Sequence, residues 1–163
     1  MSAIADLPDL NVWLALASPT HQHHSSAVQY WEEQASQQVL FCTVTAQGLV
    51  RLVMQPKVMG DAALTAAEAS TLLETFVQQP GVCHAQPSSE GWDVFHGLMR
   101  QAEMSPRFCT DAHLAALAIT NPRLVISSPT AFRIASCSGP GPIGAAVRGS
   151  ITPIPALPSS IHR

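Results

Sequence analysis

Short apolar runs and helical patterns alternate along the first 126 residues, and this alternation limits the possible folds more than any other feature. Four short apolar runs are predicted to be strands: a run that ends just before Asp9, then Val39–Cys42, Val82–Ala85 and Leu124–Ile126. Helical patterns cover Leu10–Ala17, Val28–Ala35, Thr43–Met54, Thr65–Gln78, Ser89–Met104 and Thr110–Ile119. Strands that alternate with helices of this length form parallel sheets covered by helices. The sequence therefore predicts an α/β domain with a central, mostly parallel sheet.

The composition changes abruptly near residue 126. Residues 1–120 contain all eleven acidic residues and four basic ones, a net charge of −7, whereas residues 121–163 contain four arginines and no acid. From residue 127 onwards Pro, Gly and Ser are frequent and no helical or strand periodicity remains, which predicts an irregular tail. We divide the chain into a domain at 1–126 and a tail at 127–163. The tail has two open origins, a shift of the coding frame near residue 126 or a divergent extension.

Several features favour a cytoplasmic protein without a membrane segment. The longest apolar runs are six residues each, Val12–Ala17 and Leu114–Ile119, whereas a membrane span needs roughly 18. No basic segment precedes the first apolar residues, so a secretory signal is not expected. The four cysteines are far apart and form no C-x-x-C pair, which is typical of free cytosolic thiols.

Two aspartates are the main candidates for chemistry, and each also has a structural interpretation. Asp9 follows the first strand, where open α/β sheets bind ligands, but Asp in a strand-to-helix turn commonly caps the helix. Asp111 follows Thr110, the predicted N-cap, and complements the positive end of a helix dipole. A cluster of His21, His23 and His24 could bind a metal, but we favour caps and solvent-facing polar groups because no acid or cysteine lies at ligand spacing.

Three segments together resemble the PIN-domain ribonucleases, and more specifically the VapC-type toxins of bacterial toxin–antitoxin pairs. They are PDLNVWLALASPTHQHH at the amino end, TAQGLVRLVMQPKVMG in the first third, and TDAHLAALA before the last strand. Each segment alone is a weak motif. Their order and spacing fit the family through about residue 126, and the series of three makes the resemblance fairly specific.

The resemblance implies an α/β/α sandwich in which acids at the strand ends hold Mg²⁺ or Mn²⁺, ions that prefer carboxylate oxygens and water. The metal would activate a water for attack on an RNA phosphodiester. Family positions carry over onto Asp9 and Asp111 as metal-binding and catalytic acids. The polar residues that line the pocket in relatives correspond to Asn11 and Thr45, and a basic residue after the second motif corresponds to Arg51.

The chain departs from the family pattern at two acidic positions. Relatives often have T-E-x-G-F-x-R in the second motif, where this chain has T-A-Q-G-L-V-R with Ala46 at the glutamate. Relatives also end the last strand with L-V-T-F-D, where this chain has Leu124-Val125-Ile126-Ser127-Ser128. Two carboxylates can still hold one Mg²⁺, which keeps several waters, but with weaker affinity.

The leading interpretation is an endoribonuclease toxin that cleaves RNA, is neutralised by a VapB-type antitoxin, and has its activity reduced by the two missing acids. The alternative from another class is a catalytically inactive PIN-fold module that binds and sequesters the antitoxin. A third interpretation is a plain α/β domain whose Asp9 and Asp111 serve only as helix caps. The three large aromatics Trp13, Trp31 and Trp92 further suggest a homodimer, unless they all belong to the core.

Overall fold

The computed structural model describes residues 5–101, 105–121 and 123–127, and the side chains of residues 107 and 125–127 are not described. The strands are β1 (Ala5–Pro8), β2 (Gln38–Cys42), β3 (Val82–Ala85) and β4 (Leu124–Ser127). The α-helices are α1 (Leu10–Ala17), α2 (His24–Gln29), α3 (Thr43–Val53), α4 (Pro56–Met59), α5 (Ala66–Val77), α6 (Ser89–Met99) and α7 (Cys109–Thr120). A π-helix covers Tyr30–Gln34, and 3₁₀ turns cover Gly60–Ala62 and Pro106–Phe108.

The four strands form one parallel sheet in the order β3-β2-β1-β4. In the register of the sheet, Ala5 lies opposite Gln38 on β2 and opposite Leu124 on β4. The predicted parallel α/β sheet is therefore confirmed, with β1 between its neighbours. All four strands end at the same edge of the sheet, which we call the carboxyl edge.

Helices cover both faces of the sheet. Successive side chains of a strand point to opposite faces, so each strand contributes to the packing on both sides. On β2, Val39 and Phe41 belong to one buried cluster, while Leu40 and Cys42 belong to another. The larger cluster includes residues of α1, α3 and α5, and the smaller one includes Leu114 and Leu117 of α7. The predicted α/β/α sandwich is thus confirmed.

Aromatic rings form the centre of the larger cluster. Trp13 is fully buried and stacks on Phe41 with ring centroids 3.6 Å apart. Trp31 and Phe76 meet Trp13 edge-on, at 5.8 Å and 5.4 Å. Such arrangements add to the burial energy of large rings. Two of the three tryptophans are therefore core residues, whereas Trp92 is 45% exposed.

Most predicted helices are confirmed. The helix predicted from Thr65 starts where expected, and its first residues show why. The helix predicted from Thr65 begins with the capping box of Thr65 and Glu68, in which Glu68 N–H donates to Thr65 Oγ1 at 3.3 Å and Thr65 N–H donates to Glu68 Oε2 at 2.8 Å. The pKa of Glu68 is lowered because both the backbone N–H and the hydroxyl of Thr65 donate to its carboxylate.

Two local predictions were wrong. The helix expected at Val28–Ala35 begins earlier, at His24, and becomes a π-helix in which Ala35 N–H donates to Tyr30 O at 2.8 Å. Thr110 does not cap α7, which begins at Cys109 after Phe108. The preceding 3₁₀ turn explains this, since its last residues already have helical backbone bonds and lead directly into α7.

The end of one further helix was also predicted wrongly, and the tail beyond Ser127 lies outside the described residues. The helix predicted at Ser89–Met104 ends at Met99, and Arg100 follows as its C-cap. Of the tail predicted at 127–163, only Ser127 is described, as the last residue of β4. Within the described ranges, no helix has both the length and the apolar character that crossing a bilayer requires.

Candidate functional site at the carboxyl edge

Asp9 lies at the carboxyl edge because it is the first residue after β1. Its backbone is extended, with φ −69° and ψ 169°, and the chain turns there into α1. Its Oδ1 accepts the N–H groups of Asn11 at 2.7 Å and Val12 at 3.1 Å. The capping role is therefore observed. The cap also holds a half-buried carboxylate in one orientation at the edge of the sheet.

Asp111 reaches the same edge through α7. This 12-residue helix spans about 18 Å and leads through a short connection into β4, so its last residue lies near the start of β4. Its first turn, which contains Asp111, is therefore directed towards the strand ends. Leu114, one turn further on, belongs to the same small cluster as Cys42, the last residue of β2. The Asp111 side chain is exposed at the positive end of the helix dipole.

Thr45 shapes the edge from within the protein. Its side chain is fully buried, and its hydroxyl donates to Cys42 O at 3.0 Å and accepts Cys42 N–H at 3.2 Å. These bonds hold the turn between β2 and α3. The hydroxyl therefore has a structural role in addition to its predicted place beside the pocket.

Asn11 and Arg51 differ in their distance from the edge. Asn11 is exposed in the first turn of α1, and its backbone N–H bonds to Asp9. Arg51 is exposed in the last turn of α3, eight residues after Thr43 and so about 12 Å along the helix from the edge. Asn11 adjoins the first acid, whereas Arg51 lies towards the opposite end of its helix.

Position 46 is buried, with Ala46 8% exposed in the larger apolar cluster. An acid at this position would bring a charge against that cluster, and burying an unpaired charge is costly. The small apolar Ala46 fits this environment. Ala46 therefore places no charge against the larger cluster.

The donor set at the edge suits a hard divalent ion with several water ligands. Its two side chains, Asp9 and Asp111, offer carboxylate oxygens, which Mg²⁺ and Mn²⁺ accept together with water. The described parts of the chain contain no group of three or more His, Cys, Asp or Glu residues placed to hold a metal.

The three clustered histidines make local backbone bonds. Nδ1 of His21 accepts His23 N–H at 3.2 Å, and Nδ1 of His24 donates to Ala15 O at 2.7 Å. Burial, followed by the charges of His23 and His24, lowers the pKa of His21. These contacts agree with the expected structural role.

Asp6 is a buried acid that sequence reasoning missed. It is 1% exposed on β1 and accepts the Tyr30 hydroxyl at 2.7 Å. It also accepts Ser36 N–H at 2.9 Å and the Ser36 hydroxyl at 2.8 Å. The carboxylate thus ties Tyr30, the first residue of the π-helix, and Ser36, two residues beyond its end, to the sheet. The only available signal was a charged residue within an apolar strand, which does not identify its partners.

Comparison with known proteins assigns the family. No protein-family model matches the chain. The chain is 32% identical over 134 residues to Ribonuclease VapC41 from two strains of Mycobacterium tuberculosis, CDC 1551 / Oshkosh and H37Rv, covering 77% of this chain and 90% of each relative. This chain therefore belongs to the VapC ribonuclease family.

A solved structure supports the fold independently. The crystal structure of Mycobacterium tuberculosis VapC20, titled a sarcin-ricin loop cleaving toxin, matches with a TM-score of 0.54 at 16% identity. The match covers 72% of this chain and 84% of that chain. The likeness shows that the two proteins share a fold.

Proposed function

We propose that this protein is a metal-dependent endoribonuclease toxin that hydrolyses RNA phosphodiester bonds. The observation that carries the proposal is the Asp9 carboxylate, held by two backbone N–H groups where β1 ends in a member of a ribonuclease family. Asp111 supports it, because α7 directs its first turn towards the same edge. Acids at the strand ends of an open α/β sheet suit ligand binding and catalysis.

Asp9 and Asp111 would hold Mg²⁺ or Mn²⁺, which when bound supplies an activated water and stabilises the leaving oxygen. The capping bonds keep Asp9 oriented without a further ordering cost on binding. The exposed carboxylate of Asp111 remains accessible to solvent and to the RNA. Asn11, Thr45 and Arg51 are proposed to act in the pocket, with Arg51 as the most distant of them.

The proposed partners are an RNA substrate and a cognate VapB-type antitoxin, in a cytoplasmic setting. A homodimer also stays a prediction. Its support from the tryptophans now rests on Trp92 alone, since Trp13 and Trp31 fill the core.

A nuclease assay with Mn²⁺ tests the proposal, using the wild-type protein and Asp9→Asn. Asn caps helices about as well as Asp, so the substitution removes the charge and keeps the cap. We expect the wild-type protein to cleave RNA and Asp9→Asn to lose at least tenfold in rate. Asp61→Asn is the matched control, because Asp61 is an exposed acid in a 3₁₀ turn on another part of the surface.

The result also separates the two functions. If wild-type protein and Asp9→Asn both fail to cleave RNA but both bind a VapB-type antitoxin, the protein is the inactive sequestering module. Equal cleavage by wild-type protein and Asp9→Asn would contradict the proposed site.

A further inference from the structure

Three exposed side chains form a row along α6. Trp92, His96 and Arg100 are spaced four residues apart, and all three are exposed. Residues four apart lie on the same side of a helix, one above the other. Because each step of four residues also turns by about 40°, the indole, imidazole and guanidinium follow a stripe about 12 Å long that turns by about 80° around the helix.

The indole of Trp92 contacts neighbouring rings and is also partly exposed to solvent. Phe95 meets it edge-on at 5.6 Å and 88°, and the ring of buried His113 lies 5.7 Å away. His96 lies 6.2 Å from the indole on the exposed side of α6. With 45% of its surface exposed, Trp92 is a ring that neighbours orient and that a ligand can reach.

The row leads towards the candidate site. Helices α6 and α7 run antiparallel. Gly91 of α6 lies beside Thr120 of α7, so close that a Cβ added to Gly91 would lie 3.4 Å from Thr120 Oγ1. Phe95 lies beside His113. The end of α6 that carries Arg100 is consequently near the start of α7, which contains Asp111. The row therefore runs along α6 towards the end of the helix pair at which α7 begins.

We propose that this row binds single-stranded RNA, with an unpaired base stacked on Trp92 and a backbone phosphate paired with Arg100. The proposal rests on the proposed ribonuclease function and names the part of the surface that holds the substrate. Proteins hold unpaired bases on aromatic side chains, and basic groups follow the phosphates. Of the exposed acids of α6, Glu90 lies about 160° around the helix from Trp92, whereas Asp93, three residues before His96, lies beside the row.

Quenching of tryptophan fluorescence by RNA reports on Trp92, because Trp13 and Trp31 are buried in the core and out of reach of a bound base. In an Asp9→Asn background that slows cleavage, a short unstructured RNA should quench the intrinsic emission. Adding Trp92→Ala should remove the quenching and weaken binding by about 5- to 150-fold, the range for one stacked base. Trp92→Phe should recover part of the affinity. Ile119→Ala, an exposed apolar residue of α7, should leave affinity unchanged.

Salt dependence tests the phosphate contact separately. Arg100→Gln should reduce the slope of log affinity against log salt by about 0.7, as expected for one lost contact to a single strand. Lys57→Gln is the charge-matched control on α4, and its slope should equal that of the parent.

The outcomes distinguish this inference from the proposed function. Cleavage by wild-type protein together with unchanged RNA affinity in Trp92→Ala overturns the inference alone. Unchanged affinity together with a change from dimer to monomer in light scattering assigns the face to a second copy instead. Loss of RNA cleavage in every preparation rejects the proposed function. The quenching of Trp92 emission reports RNA binding whether or not the protein cleaves, so it tests the inference separately.

Discussion

The two sides of the sheet differ in how much apolar surface they bury. Among the described residues, the larger cluster has seventeen buried members and the smaller one has four. The large side contains the stacked rings of Trp13 and Phe41, whereas the helix pair on the small side leaves Trp92 nearly half exposed. The large side therefore supplies most of the apolar burial among the described residues, and the small side carries the exposed ring of the proposed binding surface.

The helix sequences explain this difference. Helix α1 contributes large apolar residues such as Trp13 and Leu16 to the larger cluster. Helix α7 has alanine at several positions, including buried Ala112 and Ala116, so it packs closely but buries less area. On α6, the large apolar side chain of Trp92 is partly exposed to solvent.

The largest expected effect compares two tryptophans on opposite sides. Trp13→Ala should lower the free energy of unfolding by about 3–5 kcal/mol, because a large buried ring leaves a cavity. Trp92→Ala should lower it by about 1 kcal/mol or less, since the ring is half exposed. Urea denaturation measures both. Similar losses would show that the small side also stabilises the fold.

The second prediction concerns Asp6, whose contacts tie the π-helix to the large side. Asp6→Ala leaves the Tyr30 hydroxyl and Ser36 N–H without their acceptor, and we expect a loss of about 1.5–3 kcal/mol. The free energy of unfolding of Asp61→Ala provides the exposed control. A loss no larger than that of the control would mean that the buried carboxylate contributes nothing.

The third prediction uses pH to probe the small side. Burial lowers the pKa of His113, and its Nε2 has no hydrogen-bond partner among the described residues. Because the unfolded chain takes up the proton first, stability should fall as pH decreases through about 6.5 and should be fully retained above it. Urea midpoints at pH 7.5 and 5.5 measure this. His113→Gln should flatten the dependence, and an unchanged slope would contradict the assignment.

The smallest expected effect is on Asp111. Asp111→Asn should lower the free energy of unfolding by only about 0.3–1 kcal/mol, the value of one charge near a helix terminus. Thermal denaturation at low ionic strength measures it, with Asp93→Asn on α6 as the comparison. A loss of several kcal/mol would indicate that Asp111 stabilises the small side through contacts beyond the helix dipole.

Local signals in the sequence predicted much of the fold. Helix α1 runs from Leu10 to Ala17 as predicted, because an acid caps its start and Ser18-Pro19 stops it. The β2 strand and the start of the helix at Thr65 were also predicted, since each depends on residues close together in the chain.

Contacts between distant residues were not predictable in the same way. Asp6 bonds to residues 24 and 30 positions away, so neither spacing nor propensity indicated the π-helix that these bonds hold. The Asp9 cap was predicted from local pattern, but its relation to Asp111 came only from the family resemblance, because 102 positions separate them. The burial of Ala46 likewise depends on the packing of α3 against α1, which the local sequence of α3 does not show.

The central claim is that Asp9 and Asp111 share one divalent ion, and Mn²⁺ binding measured by calorimetry tests it most directly. The four proteins are wild type, Asp9→Asn, Asp111→Asn and the double variant, compared as a double-mutant cycle. We predict that each single substitution removes most of the affinity and that the double variant loses little more, because either loss already breaks the shared site. Independent, additive losses, or wild-type affinity in both single variants, would contradict the account.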